Sequence, residues 1–96
     1  WRRFAVWLAP PARQRARLRV VVYTRAGCHL CDVAAEGLRR CGLTPQLVDI
    51  DADPLLRDRF DHLVPVVEIE GKIRFRGRVN PVLLRRLLSR LRPETG

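Results

Sequence analysis

From Leu18 onward the chain alternates between two hydrophobic periods, and the alternation predicts its elements. "LRVVVY" (18–23) is a short β-branched run of the kind that forms a buried strand. A helical period follows, with Leu30, Val33, Ala34, Leu38 and Cys41 on one face and Gly42 as the stop. "PQLVDI" (45–50) reads as a second strand. In "DADP", Asp53 is placed to cap a short helix that has Pro54 at its first position and carries Leu55, Leu56, Arg59 and Phe60. "VPVVEIEGKIRF" (64–75) reads as two strands about a tight turn at Glu70-Gly71. Asn80-Pro81 repeats the cap-plus-proline pattern, and Leu83, Leu84, Leu87, Leu88 and Leu91 form a last helical stripe that stops near Pro93.

The predicted order is β-α-β-α-β-β-α. Two strands joined by a helix pair in parallel with a right-handed crossover, and the hairpin adds an antiparallel pair. The expectation is an α/β domain over residues 18–96, a four-stranded mixed sheet with helices on its faces. Residues 1–17 stand apart as a basic N-terminal extension, because Pro10 and Pro11 prevent "WRRFAVWL" from continuing as a helix. It reads as a surface extension docked through Trp1, Phe4 and Trp7, with membrane-surface or partner contact through aromatics interleaved with Arg as the alternative. Trp1 stands where an initiator Met would, so the chain reads as trimmed or excerpted.

Composition narrows the function classes. Apolar residues make up 47% of 96 residues, enough for the core of one small domain. No apolar stretch approaches the roughly 18 residues of a spanning helix. The formal charge of +9 resembles a nucleic-acid signal until it is divided along the chain. Residues 1–19 hold six Arg and no acid, whereas residues 20–96 hold thirteen basic and ten acidic side chains, a net of +3. The excess sits mainly in the extension, which argues against nucleic acid as the partner of the folded body. Three cysteines do not make a secreted disulfide framework. The apolar centre of "RRFAVWLAPPAR", Phe4 to Ala9, is shorter than an export signal uses, so the expected location is cytoplasmic.

The chemistry is concentrated in "VVYTRAGCHLCDVAAEGL" (20–37), where Cys28 and Cys31 follow a strand and open a helix. A sulfur at Cys28 faces unpaired backbone N–H groups and the positive end of the helix dipole, and both favour thiolate. Such settings lower an ordinary thiol pKa of about 8.5 to roughly 3.5–7.5. Cys31 lies one turn on, close enough to form a disulfide with Cys28 yet less exposed and away from the terminal N–H groups. Cys28 is therefore expected to attack a substrate disulfide and Cys31 to resolve the mixed disulfide. A protonated His29 would stabilise the thiolate further; the alternative is a ring pointing to solvent. Arg25 either adds positive potential, holds a substrate carboxylate, or is an ordinary surface Arg. Pro65 opens an apolar strand, where its missing N–H is tolerated.

"YTRAGCHLC" after a strand, "LVPVVEIEG" about 35 residues later and a final amphipathic helix together resemble the glutaredoxin-like proteins of the thioredoxin superfamily. The resemblance covers roughly residues 18–92. It implies the glutaredoxin-type thioredoxin fold, a cis Val64-Pro65 bond packed against Cys28 and Cys31, and pairing of the Val64 backbone with the substrate backbone. Arg25 falls where glutaredoxins carry a basic residue three before the first cysteine. Other positions depart from the family. C-H-L-C stands in place of C-P-Y-C and is similar to a branch of small glutaredoxin-like proteins, and Leu63 replaces the usual Thr. "RGRVNP" keeps Gly77 but puts Val79 and Asn80 near the positions of the acids that hold the amino end of glutathione. No bound cofactor is expected. The cosubstrate is then glutathione or another thiol reductant, such as a thioredoxin-reductase-type donor. The expected partner is a disulfide-containing protein or small molecule, and the chain is taken as a monomer.

Two other classes compete. A metal or iron–sulfur module would draw on Cys28 and Cys31, with Cys41, His29 and His62 as further candidates, or on Cys28 from each of two chains. No second C-x-x-C exists, and Cys41 lies on an apolar face. Covalent c-type haem is excluded because Asp32, not His, follows Cys31. The third class is a non-catalytic interaction module that keeps the fold. Asp49, Asp51 and Asp53 read as strand-end and cap residues, Asp32 as support for the helix start, and Glu36 as a solubilising side chain.

Overall fold

The computed structural model describes residue 15 and residues 17–91. The expectations for Trp1, Phe4 and Trp7 and for a stop at Pro93 lie outside the described residues. The elements follow the predicted order: β1 (Val20–Thr24), α1 (His29–Arg40), β2 (Gln46–Asp49), a 3-10 turn (Ile50–Ala52), α2 (Pro54–Phe60), β3 (Val66–Ile69), β4 (Lys72–Arg76) and α3 (Pro81–Arg90). The sheet runs β2-β1-β3-β4, with β1 and β2 parallel and the other two pairs antiparallel. This is the α/β architecture of the thioredoxin fold.

Alternation along the central strands sends side chains to two cores. Val20 and Val22 of β1 and Val67 and Ile69 of β3 join Leu38 of α1 and Leu84 and Leu88 of α3 in the larger cluster. Ile50, Phe60 and Val66 form the second, flanked by Tyr23, Leu56, Val64 and Ile73, so α2 covers the opposite face of the sheet. Glu70 and Gly71 make the hairpin turn with φ of 52° and 83°, the two positive values of a type I′ turn. Asp53 caps α2 through the Leu55 N–H, and Asn80 caps α3 through the N–H groups of Val82 and Leu83.

Three expectations are corrected. The buried stripe of α1 is Cys31, Ala34, Ala35 and Leu38, whereas Leu30 and Val33 are 43% and 53% exposed. The expected stripe had mixed the sheet-facing side of the helix with a neighbouring apolar side. On α3, Leu83 is likewise exposed, while Leu84 and Leu88 carry the burial. Ile50 belongs to the 3-10 turn, not to β2, because the Asp49 side chain accepts the Asp51 N–H and turns the chain at that point.

Candidate active site

The parallel β1–β2 pair and the antiparallel β1–β3 pair bring three segments to one edge of the sheet. Thr24 at the end of β1 pairs with Asp49 at the end of β2, and Tyr23 pairs with Val66 at the start of β3. The loop 25–27, the 3-10 turn after β2 and the Val64-Pro65 approach to β3 therefore meet there. Gly27 has φ of +78°, a backbone conformation that a Cβ would strain, and it turns the chain into α1.

Cys28 occupies the N-cap of α1. Its sulfur accepts the Cys31 N–H at 3.1 Å, and it is half-buried. The two cysteines are joined as a disulfide with their Cα atoms 5.3 Å apart. Cys31 is 2% exposed. One sulfur thus meets both solvent and the helix N-terminus, and the other lies in the interior. His29 and Leu30, between them, are exposed. The Val64-Pro65 bond is cis, Pro65 is fully buried and Val64 partly so. The Pro65 carbonyl accepts the Gly77 N–H at 2.8 Å, which ties this loop to the segment that leads into α3.

Arg25 is more constrained than the sequence indicates. Its Nε and Nη2 donate to the two carboxylate oxygens of Asp51 at 3.0 and 2.8 Å. Its Nη1 donates to the Asp61 carbonyl at 3.1 Å and lies 3.0 Å from Asp61 Oδ1. The hydrogen bond from Arg25 holds the Asp51 carboxyl below its ordinary range. Asp51 is thus a partner of Arg25 and not a cap, unlike Asp49 and Asp53. The His62 side chain is 91% exposed and its Nε2 lies 3.2 Å from the Asp61 carboxylate. Tyr23 stacks on Phe60 with centroids 4.6 Å apart and donates to Glu68 Oε1 at 3.4 Å. Burial, followed by the Glu68 charge, raises its hydroxyl pKa.

Sequence reasoning named Cys28, Cys31, Arg25, His29, Val64 and Pro65 as candidates, and all six lie on the loops of this edge or at the start of α1. It missed Asp61 and the pairing role of Asp51, because contacts 26 and 36 residues away from Arg25 leave no local signal. It also missed an apolar groove of about 270 Å³ between α1 and the segment that leads into α3, lined by Leu30, Val33 and Gly37 of α1 and by Gly77, Val79 and Pro81. The displaced apolar stripe of α1 was the available clue. Cys41 lines the far end of this groove, and Val79, near the position where the resemblance places a glutathione-holding acid, lines it with an apolar side chain. Among the described residues no group of three or more His, Cys, Asp or Glu side chains converges as a metal site.

Residues 19–89 match the family model of the Glutaredoxin-like domain (DUF836). The chain belongs to the glutaredoxin-like family. The fold of this glutaredoxin-like domain is also that of solved structures distant in sequence. A mutant of the thioredoxin-like protein BC3987 superposes with a TM-score of 0.56 at 19% identity, over 73% of this chain and 96% of the other. A chain from a structure of the thiol-resolving mechanism in yeast mitochondrial 1-Cys peroxiredoxin via glutathione/thioredoxin systems gives 0.55 at 13% identity, covering 81% and 82%. No curated protein matches the sequence. Family, fold and the C-x-x-C pair together indicate thiol redox chemistry for the glutaredoxin-like domain. No helix among its described residues is long and apolar enough to cross a membrane.

Proposed function

We propose that the domain is a dithiol–disulfide oxidoreductase in which Cys28 is the nucleophile and Cys31 the resolving thiol. The observation that carries the reading is the asymmetry of the pair. Cys28 Sγ sits at the helix N-cap, accepts a backbone N–H and reaches solvent, whereas Cys31 is buried behind it. The N-cap setting favours thiolate at Cys28, and burial raises the cost of charge at Cys31. In the reduced protein the Cys28 thiolate adds to one sulfur of a substrate disulfide. That bond breaks, and the departing thiolate takes a proton from water. Cys31, losing its proton, then attacks Cys28 Sγ and expels the second substrate thiol. Two electrons pass to the substrate and the Cys28–Cys31 disulfide remains. Two equivalents of a monothiol such as glutathione, or one of another dithiol reductant, restore the pair.

In this reading the Val64 backbone and Pro65 receive the substrate chain, and His29 adds positive charge beside Cys28 when protonated. Substrates are proteins or small molecules that carry a disulfide. A reducing compartment such as the cytoplasm would return the Cys28–Cys31 disulfide to the dithiol that attacks substrates. Cys28→Ser is expected to abolish disulfide reduction. Cys31→Ser is expected to leave Cys28 able to capture a substrate as a stable mixed disulfide, visible by intact-mass spectrometry. Equal and mild losses in the two variants would remove the separate roles. Visible absorbance of protein purified without oxygen would instead favour cluster binding through Cys28.

A further inference from the structure

Arg25 lies in the turn that presents the reactive sulfur, and its carbonyl accepts the Cys28 N–H at 3.2 Å. A guanidinium has five N–H donors. Two of them are spent on a bidentate pair with Asp51, and Nη1 is directed at the carbonyl and carboxylate of Asp61. At most one donor is left for an incoming molecule. The charge count points the same way: Asp51 and Asp61 offset the Arg25 guanidinium and the Arg57 charge that also acts on Asp51, so the cluster offers no uncovered positive charge. Asp32, in the first turn of α1 and next to Cys31, adds another exposed carboxylate to this end of the helix. The carboxamide oxygen of Asn80 is likewise occupied, since it accepts the Val82 and Leu83 N–H groups. A chain that is strongly basic overall thus presents a covered cation on the turn that leads into its disulfide.

We propose that Asp51 and Asp61 are specificity-determining residues that mask Arg25, so that the Cys28–Cys31 disulfide reacts preferentially with neutral or cationic thiols and disfavours anionic ones. The assignment rests on the oxidoreductase reading and adds the charge class of the reductant. In the step concerned, a thiolate adds to Cys28 Sγ, the Cys28–Cys31 bond breaks, and Cys31 leaves with the electron pair and takes a proton from water. A second thiolate attacks the outer sulfur of the mixed disulfide and releases the oxidised reductant and the Cys28 thiolate. An anionic reductant finds no uncovered cation in either step. A cationic one has no use for the guanidinium and loses nothing by its being covered.

Three small thiols that differ in charge test this: mercaptoacetate (anionic), mercaptoethanol (neutral) and cysteamine (cationic). Second-order rate constants for reduction of the oxidised full chain are measured for the wild type, Asp51→Asn and Asp53→Asn. Because each thiol is compared across variants, differences in intrinsic thiol reactivity cancel. The ratio of the mercaptoacetate to the mercaptoethanol rate is expected to rise about fivefold in Asp51→Asn, the scale of one exposed charge pair. The cysteamine ratio is expected to fall. Adding Arg25→Gln to Asp51→Asn is expected to cancel the gain for mercaptoacetate. Asp53→Asn removes an acid from the same edge while Asn keeps the cap on Leu55. It is expected to change the ratios by less than about twofold, because Asp53 does not touch Arg25. Unchanged ratios in Asp51→Asn, or an equal change in Asp53→Asn, would overturn the masking. A wild-type disulfide inert to all three thiols would overturn the oxidoreductase reading itself, and the masking with it.

Discussion

Cys28 and Cys31 are chemically identical side chains three positions apart, and their environments separate them. Cys28 receives a backbone N–H at the start of α1, while Cys31 is inside the protein. Arg25 differs again, since its position before Cys28 is legible in the sequence but its partners are not. Asp51 follows β2 and Asp61 follows α2, and only folding brings them to one guanidinium. This arrangement has a pH signature. The Asp51 carboxyl is held below its ordinary range in the folded protein, so the folded state prefers it charged. Its stabilising contribution is complete above the unfolded carboxyl pKa of about 3.9 and is lost as pH falls through the depressed folded value. Thermal melts of the wild type and Asp51→Asn are expected to differ most near neutral pH and to converge in acid. Parallel curves down to about pH 2 would show that the pair has no thermodynamic weight.

At the scale of elements, α1 illustrates what a helical period can and cannot indicate. The pattern from Leu30 to Cys41 was sufficient to establish a helix, and Gly42 to stop it. Its burial could not be read to better than one residue of rotation, because the helix carries two adjacent apolar sides. The sheet takes Cys31, Ala34, Ala35 and Leu38, and the groove against the segment before α3 takes Leu30, Val33 and Gly37. Leu38→Ala is therefore expected to destabilise the domain by about 2–5 kcal/mol, the range for a truncated core side chain. Val33→Ser is expected to cost less than about 0.5 kcal/mol, as for an exposed position. Urea midpoints measure both, and similar losses would return Val33 to the core. The local caps were easier to read. Asp53 and Asn80 act within three residues of themselves, so their signal lies in the sequence.

For the whole molecule, the central strands β1 and β3 serve both cores at once. Val20 and Val22 feed the cluster beneath α1 and α3, while Tyr23 and Val66 feed the one beneath α2. A sheet shared in this way couples the two faces, so a chain of this size is expected to unfold in one step. Tyr23 is the only tyrosine, which makes its ring a clean NMR reporter of the α2 side. Its resonances and the Leu38 methyl signals are expected to disappear at the same urea concentration. Separate midpoints would mean that α2 and its cluster open independently of the main core.

Sequence alone determined the order of elements, the caps, the hairpin turn and the C-x-x-C pair at a helix start. Each of these depends on interactions between near neighbours along the chain, where spacing and geometry are nearly the same thing. Tertiary structure decided the rest: which apolar side of α1 meets the sheet, and how Arg25 is occupied. Those outcomes depend on which segments meet across tens of residues, and that is set by packing against the shared sheet, which no local pattern encodes.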